Sequence, residues 1–188
     1  MEQLNALFLA HRFLREQVRP GAFCIDATAG RGRDAAFLCR LVGKTGRVLA
    51  LDLQPQAVEE TRALLEREGL QAIGQVLLGD HAHIGVHAAP GTVDAIVFNL
   101  GWLPGGDHAI RTGPHTTLPA LEQSLELLKP GGVLSLCLYY GGVSGYEERD
   151  AVLGWLETVD PGRYTVLVSR FVNRTGDPPI PVFIRREG

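Results

Sequence analysis

Short apolar runs alternate along this chain with longer segments in which apolar residues recur every three or four positions. The first pattern is typical of buried strands and the second of amphipathic helices. An N-terminal helix should end before Pro20, and its apolar side is marked by Leu4, Leu7, Phe8 and Leu14. Further helices are predicted over residues 34–42, 55–68, 118–128 and 147–156. The predicted strands are residues 23–26, 47–52, 74–78, 93–99, 133–140, 164–171 and 181–186.

This order of elements predicts an α/β protein with seven strands. Helices separate most of the first five strands, which favours a mostly parallel sheet covered by helices on both faces. The last two strands follow one another directly, so we expect them to form an antiparallel pair. With 188 residues and 45% hydrophobic content, the chain can build one core but is short for two, so we expect a single domain over residues 1–188.

Composition narrows the classes of function. The formal net charge is -3, from 18 basic and 21 acidic residues, so any nucleic-acid partner must contact a local basic patch. The three cysteines, Cys24, Cys39 and Cys137, lack the spacing of a disulfide framework or a zinc site, so we expect reduced thiols and no metal. The N-terminal segment reaches His11 and Arg12 before any long apolar run, which predicts a cytoplasmic protein without a signal peptide or membrane span.

Acidic residues stand at the ends of the first three predicted strands. Asp26 and Asp52 end the first and second strands, and Asp80 comes just after the third. In an open α/β sheet the ligand crevice lies beyond the carboxyl ends of the strands, so we expect all three acids to face one site. Asp52 is suited to accept hydrogen bonds from ribose hydroxyls, and Asp80 from the exocyclic amine of adenine.

A glycine-paired turn directly follows Asp26. Gly30 and Gly32 let backbone amides approach a ligand closely, because glycine has no side chain and tolerates a positive φ. The spacing Gly30-x-Gly32-x-x-Ala35 also satisfies the relaxed dinucleotide fingerprint, so a nicotinamide-dependent oxidoreductase is one alternative. However, Asp26 and Asp34 bring carboxylates to the place where a pyrophosphate would bind. Carboxylates repel a pyrophosphate but attract a sulfonium cation, which favours S-adenosylmethionine.

Several motifs resemble those of a known class of enzymes. DATAG at residues 26–30, with Gly32 and Asp34, and KPGG at residues 129–132 are similar to loops of class I S-adenosylmethionine-dependent methyltransferases. FNLGWLPGGD at residues 98–107 resembles the YtqB-like family of rRNA methylases, as do three later features: Thr116 with Thr117, Asn173, and Pro178 with Pro179. The resemblance implies a Rossmann-like class I methyltransferase fold with a seven-stranded, mostly parallel sheet and helices on both faces.

The same resemblance implies a substrate. Members of this family are understood as tRNA methyltransferases, called MnmM, that methylate the aminomethyl group of 5-aminomethyl-2-thiouridine at the wobble position. For this chain it implies S-adenosylmethionine as cofactor, the tRNA anticodon arm as partner, and a homodimer. Alternatives are methylation of another RNA site or of a small-molecule amine, and a non-catalytic protein that binds S-adenosylmethionine. This sequence departs from the family at Arg31, where a small polar residue is usual, and after Tyr139 and Tyr140, where histidines are usual.

The motifs and the resemblance together give a set of candidate site residues. Asn99 is the candidate for orienting the nucleophilic nitrogen, and Asp107 is the candidate proton acceptor, with His108 or His81 as weaker choices. Trp102, Tyr139 and Arg111 are candidates for substrate contacts, although Trp102 could equally pack against the sheet. Phosphate contacts are predicted for Arg111, His115, Arg170, Arg174, Arg185 and Arg186. The predicted cofactor contacts are Asp26, Thr28, Gly30, Arg31, Gly32, Asp34, Asp52, Gln54, Asp80, His81 and Asn99.

Overall fold

The computed structural model of the chain describes residues 4–101 and 112–188, without the side chains of residues 142–144. Its α-helices are α1 (Ala6–Gln17), α2 (Arg33–Val42), α3 (Pro55–Arg67), α4 (Pro114–Leu127) and α5 (Gly142–Leu156). Its strands are β1 (Phe23–Asp26), β2 (Arg47–Asp52), β3 (Gly74–Leu78), β4 (Val93–Leu100), β5 (Leu128–Leu138), β6 (Tyr164–Val168) and β7 (Ile180–Arg186). A 3-10 helix over His81–His87 follows β3.

The described strands form one sheet in the order β3-β2-β1-β4-β5-β7-β6. Neighbouring strands from β3 to β5 are parallel, and β7 runs antiparallel to both β5 and β6. This arrangement confirms the predicted seven-stranded, mostly parallel sheet with an antiparallel pair at the end. The order reverses between β1 and β4, and their carboxyl ends therefore define the crevice where an open α/β sheet binds its ligand.

Alternation along the strands divides the core between the two faces of the sheet. Ile96 and Phe98 of β4 belong to the cluster that packs against α4 and α5, whereas Ala95 and Val97 belong to the cluster under α1, α2 and α3. Successive residues of a strand point to opposite faces. By the same alternation, Asp26, Asp52 and Asn99 fall on the face covered by α1, α2 and α3, at neighbouring strand ends.

Some element boundaries differ from the sequence prediction. Helix α4 begins at Pro114 rather than residue 118, because proline fits the first helical position and Thr116 Oγ1 donates to Gly113 O at 3.1 Å. Helix α5 begins at Gly142 rather than residue 147. Strand β5 pairs at Leu128, and residues 129–132 bulge before pairing resumes, so the KPGG turn interrupts a strand instead of preceding one. Within the described residues, no helix is long and apolar enough to cross a membrane.

Candidate active site

The loop between β1 and α2 is shaped by two glycines in the left-handed region. Gly30 has φ 53° and Gly32 has φ 76°. A Cβ atom on Gly32 would lie 2.9 Å from Thr61 Cα, so glycine is needed there for space as well as for backbone conformation. Two hydrogen bonds also fix the loop: Gly30 N donates to Asp52 Oδ2 at 2.8 Å, and Thr61 Oγ1 donates to Gly30 O at 3.1 Å. The loop is therefore held against the end of β2.

A cleft of about 610 Å³ opens beyond this loop, at the carboxyl ends of the parallel strands. Its volume lies within the range of about 300–1,000 Å³ that is usual for small-molecule pockets. Most of the predicted site residues within the described ranges line it. They are Thr28, Gly30, Arg31, Asp34, Asp52, Gln54, Asp80, His81, Asn99 and Tyr139.

Two predicted cofactor residues, Asp26 and Gly32, do not line the cleft. Asp26 is fully buried behind the loop, and within the described part of the chain its Oδ2 atom has no hydrogen-bond partner. Burial raises the pKa of the Asp26 carboxyl well above its ordinary value, and repulsion from Asp34 and Asp52 raises it further; the amides of Thr28 and Ala35 offset only part of this rise. Asp26 therefore lies beneath the cleft, in an environment that disfavours its ionised form.

Asp52 and Asp80 each organise the backbone around them. Asp52 Oδ1 accepts a hydrogen bond from Gln54 N at 2.9 Å, in addition to the bond from Gly30 N. Asp80 Oδ1 accepts from Ala82 N at 2.8 Å and so caps the 3-10 helix. His81 next to it lines the cleft and is buried, which lowers the pKa of its imidazole. Its Nε2 atom is buried and has no hydrogen-bond partner among the described residues.

Asp34 connects three elements at the mouth of the crevice. It lies in the first turn of α2, and its Oδ2 atom accepts a hydrogen bond from Asn99 Nδ2 at 2.7 Å. Its Oδ1 atom lies 2.7 Å from Nε2 of His11, a residue of α1. Asn99 N in turn donates to Thr28 Oγ1 at 2.7 Å. The end of β4, the glycine loop and two helices therefore meet at one hydrogen-bonded group.

Both Tyr139 and Tyr140 line the cleft, whereas strand alternation predicted that at most one of them would. The prediction was wrong because β5 ends at Leu138, so that alternation no longer applies to the two residues that follow. Tyr139 is 40% exposed, and Arg149 Cζ lies 4.9 Å from the ring centre of Tyr140. Trp102, Asp107 and Arg111 lie outside the described residues, as does His108.

Some cleft residues have no place in the site predicted from the sequence. Leu7 of α1, Leu53, Thr112 and Asp177 line the cleft but belong to none of the motifs. Thr116 of α4 and Pro179 belong to motifs that resemble the family, although the sequence assigned them no place in the site. Asp177 and Pro179 come from the segment before β7, which returns to the carboxyl end of β5 by antiparallel pairing, so their placement depends on tertiary packing.

The electrostatics of the cleft fit a cationic ligand better than a pyrophosphate. Asp34 occupies the first turn of α2, where a pyrophosphate would use the free backbone amides. Asp26, Asp34 and Asp52 also repel one another, as the raised pKa of Asp26 shows, and a positive charge in the cleft would relieve that repulsion. S-adenosylmethionine carries such a charge on its sulfonium and amino groups. No cluster of metal-ligating side chains occurs among the residues that the structure describes.

Comparison with known proteins identifies the family. A family model described as "Putative rRNA methylase" matches residues 48–185. The chain belongs to this rRNA methylase family. The chloroplastic tRNA (mnm(5)s(2)U34)-methyltransferase of Arabidopsis thaliana is 33% identical to it over 196 residues, covering 97% of this chain and 70% of that protein.

Solved structures agree with the family. A crystal structure described as a "putative rRNA-methylase" from Clostridium thermocellum has a TM-score of 0.95 at 38% identity and covers 99% of this chain and 100% of its own. A "putative methyltransferase" from Streptococcus mutans in complex with SAH has a TM-score of 0.88 at 35% identity, with 99% of both chains covered. SAH is S-adenosylmethionine after loss of its methyl group. This member of the rRNA methylase family is accordingly an S-adenosylmethionine-dependent methyltransferase with a Rossmann-like fold, and the nicotinamide alternative is set aside.

Proposed function

We propose that this enzyme methylates the aminomethyl nitrogen of 5-aminomethyl-(2-thio)uridine at the wobble position of tRNA. The observation that carries the proposal is the similarity to the Arabidopsis tRNA (mnm(5)s(2)U34)-methyltransferase, which extends over 97% of this chain. The family description names rRNA instead, so an rRNA site is the second candidate. The position of Asn99 in the cleft supports an amine as the methyl acceptor.

Asn99 is the proposed orienting residue for the amine. It ends β4 in the cleft, and its Nδ2 atom donates to Asp34 Oδ2 at 2.7 Å. Because a carboxylate only accepts hydrogen bonds, this bond directs the amide nitrogen towards Asp34 and the Oδ1 atom away from it. Asn99 Oδ1 is then able to accept an N–H from the substrate amine and to aim the nitrogen lone pair.

Bound S-adenosylmethionine supplies a methyl group that is already activated by the positive sulfur. The new N–C bond forms as the C–S bond breaks, the sulfur keeps the electron pair, and the nitrogen loses a proton. Alignment of the nucleophile therefore provides most of the rate enhancement that the protein must supply. Asp107, which lies outside the described residues, is the candidate acceptor for that proton. His81 is the weaker candidate, because its Nε2 atom is buried and burial lowers the pKa of its imidazole.

For the cofactor, we propose that Asp52 accepts hydrogen bonds from the ribose hydroxyls and that Asp80 or His81 contacts the adenine. The acids Asp26 and Asp34 are proposed to favour the positive end of the cofactor by charge. The amides of the glycine loop, including those of Gly30 and Gly32, allow close approach of the ligand.

For the RNA, the register of the sheet separates four of the six predicted phosphate contacts into two groups; of the others, His115 lies in α4 and Arg111 is outside the described residues. Arg185 pairs with Val133 at the amino end of β5, so Arg185 and the adjacent Arg186 lie at the end of the sheet opposite the cleft. Arg170 and Arg174 follow the end of β6, whose residue Val168 pairs with Val182 near the cleft. Arg170 and Arg174 are therefore the better candidates for contacts with the anticodon arm. A homodimer, which would enlarge this surface, stays a prediction.

Mass spectrometry of nucleosides tests the proposed substrate. The purified enzyme is incubated with methyl-labelled S-adenosylmethionine and tRNA that carries 5-aminomethyl-2-thiouridine, and the digested nucleosides are then analysed. We expect one labelled methyl group on the aminomethyl nitrogen of the wobble nucleoside. Transfer RNA that lacks the aminomethyl group is the matched control and should remain unlabelled.

Other outcomes separate the alternatives. Label in rRNA but not in tRNA would replace the proposed substrate with an rRNA site. Label at a different tRNA nucleoside would place the reaction elsewhere in the RNA. No transfer to either RNA by protein that binds S-adenosylmethionine would contradict the proposal and favour a small-molecule acceptor or a non-catalytic role.

A further inference from the structure

His11 of α1 is a contact of the active site that no motif marks. Its Nε2 atom lies 2.7 Å from Asp34 Oδ1, and its side chain is 19% exposed. Asp34 uses its other oxygen for Asn99 Nδ2, at the same distance of 2.7 Å. The three side chains form a continuous hydrogen-bonded chain that begins on the N-terminal helix and ends at the residue proposed to orient the amine.

The donors in the two hydrogen bonds to Asp34 are fixed by chemistry. An ionised carboxylate has no proton to donate, so both of its partners must donate to it: Nε2–H of His11 and Nδ2–H of Asn99. Without His11, Oδ1 of Asp34 would lose this donor, and the carboxylate could rotate about its Cβ–Cγ bond. Asn99 could then also rotate its amide, because its side chain is held by the hydrogen bond to Asp34.

The position of His11 is itself held by packing. Its ring stacks on Phe37 of α2, with centroids 3.8 Å apart and planes within 5° of parallel. Helix α1 is fixed to the sheet by the buried residues Ala6, Ala10 and Leu14, and Asn5 caps its first turn through Phe8 N. The ring therefore cannot turn away from Asp34 without losing the aromatic contact.

We infer that His11 is a positioning residue for methyl transfer: through Asp34 it holds the Asn99 amide in the orientation that presents Oδ1 to the substrate amine. The inference rests on the proposed role of Asn99 in amine methylation. Helix α1 thereby has a part in the reaction, although its apolar pattern indicated only packing. His11 acts through Asp34 and does not line the cleft.

Two substitutions of His11 separate the hydrogen bond from the packing. His11→Phe keeps an aromatic ring against Phe37 but has no donor for Asp34, whereas His11→Gln keeps an N–H donor and loses the ring. For His11→Phe we expect kcat to fall about 10-fold to 100-fold, the usual effect of losing a hydrogen bond to a charged group, with the Kd for S-adenosylmethionine within about 3-fold of wild type. His11→Gln should recover most of kcat.

Arg12→Gln provides the control on the same helix, because Arg12 is exposed and, among the described residues, pairs with the exposed Glu16 one turn away. It should have the kcat of the wild type. A role of His11 in packing alone predicts the reverse order, with His11→Gln the more impaired and His11→Phe near wild type. That order, or equal kcat in both variants, would overturn the inference.

A second measurement does not need turnover. The side-chain amide signals of Asn99, assigned by their loss in Asn99→Ala, can be followed by two-dimensional ¹H–¹⁵N NMR in the free enzyme. We expect them to shift in His11→Phe and to stay close to the wild-type position in His11→Gln. Unmoved signals in His11→Phe would overturn the inference even if the tRNA assay succeeds. Shifted signals with no tRNA methylation in any variant would instead refute the proposed substrate.

Discussion

The Asp26 side chain lies in an environment that is unfavourable for a carboxylate. It is fully buried, one of its oxygens lacks a hydrogen-bond partner among the described residues, and two nearby carboxylates oppose its ionisation. Such an environment destabilises the ligand-free protein at neutral pH. A positively charged cofactor would favour the ionised form of Asp26, so we propose that cofactor binding offsets part of this destabilisation.

The substitution Asp26→Asn tests whether this carboxyl group lowers stability and favours cofactor binding. The pKa of Asp26 is raised in the folded state, so the folded protein binds the carboxyl proton of Asp26 more tightly than the unfolded chain does. The free energy of unfolding therefore falls as the pH rises from the pKa of the unfolded chain through that of the folded protein. Asparagine has no such titration. We therefore expect the variant to have a higher Tm than wild type at pH 7, by about 2–4 °C for each kcal/mol of relief, and weaker binding of S-adenosylmethionine.

Thermal unfolding of the ligand-free protein between pH 5 and pH 8 measures the effect. The exposed Asp150 gives a control variant, Asp150→Asn, that should follow the wild-type dependence of Tm on pH. If Asp26→Asn also follows the wild-type dependence, the carboxylate does not carry the proposed cost.

Asp52 is the proposed partner of the cofactor ribose. Removing its carboxylate in Asp52→Ala should weaken cofactor binding by about 1–3 kcal/mol, or roughly 5-fold to 150-fold in Kd, as expected for hydrogen bonds to a charged group. Part of the loss will come from the freed amides of Gly30 and Gln54. Calorimetry with S-adenosylmethionine measures Kd, and Glu157→Ala on the exposed end of α5 is the control. A Kd unchanged from wild type would remove Asp52 from the binding site.

Asn99 is proposed to act on the substrate more than on the cofactor. Asn99→Ala should therefore lower kcat by about 10-fold or more, while the Kd for S-adenosylmethionine stays within a few-fold of wild type. Steady-state kinetics with tRNA and calorimetry with the cofactor give the two values. Turnover equal to wild type would exclude Asn99 from the mechanism.

Among the structural elements, the glycine loop depends most clearly on local backbone geometry. Gly32 combines a left-handed φ of 76° with a neighbour, Thr61, that leaves no room for a Cβ atom. Gly32→Ala should therefore destabilise the protein by about 1 kcal/mol or more and weaken cofactor binding as well. Gly154 in α5 is a matched control, because it has space for a Cβ atom and a helical position.

The two alanine substitutions should have opposite signs. Gly154→Ala is expected to stabilise the protein by about 0.5–1 kcal/mol, the usual gain for alanine over glycine inside a helix. Chemical denaturation measures both changes. Equal stability of Gly32→Ala and wild type would mean that the loop tolerates a side chain at this position, against the geometry described above.

The elements that the sequence predicted well are those with local signals. The strand over residues 23–26 followed by paired glycines, and Pro55 at the start of α3, agree with the structure almost to the residue. The start of α4 was wrong, since both Pro114 and Pro119 are compatible with a helix N-terminus and only tertiary packing selects the earlier one. The buried Glu148 contributes to that selection by accepting a hydrogen bond from Thr117 Oγ1 at 2.6 Å.

Contacts between distant parts of the chain could not be predicted from the sequence. Asp34 was predicted from its spacing after the glycines, and Asn99 from its place at a strand end. Their hydrogen bond joins residues 65 positions apart, and the bond to His11 joins residues 23 positions apart. No periodicity or motif encodes such a pair, because it depends on how α1 and α2 pack over the same face of the sheet.

For the whole molecule, the topology explains why the candidate site forms where it does. Parallel strands bring their carboxyl ends to one edge, and the reversal of strand order between β1 and β4 opens the crevice there. Side-chain alternation then assigns Asp26, Asp52 and Asn99 to one face. The family and its cofactor follow from the comparisons. The central proposal is the position of the cofactor relative to these side chains in the cleft.

A crystal structure of the enzyme with S-adenosylhomocysteine tests this position. We expect the ribose hydroxyls to lie within hydrogen-bonding distance of the Asp52 carboxylate, at about 2.5–3.0 Å. The sulfur atom should lie on the side of the cleft lined by Asp34 and Asn99. An adenosine bound away from the ends of β1, β2 and β4, or a ribose without contact to Asp52, would contradict the arrangement proposed for this site.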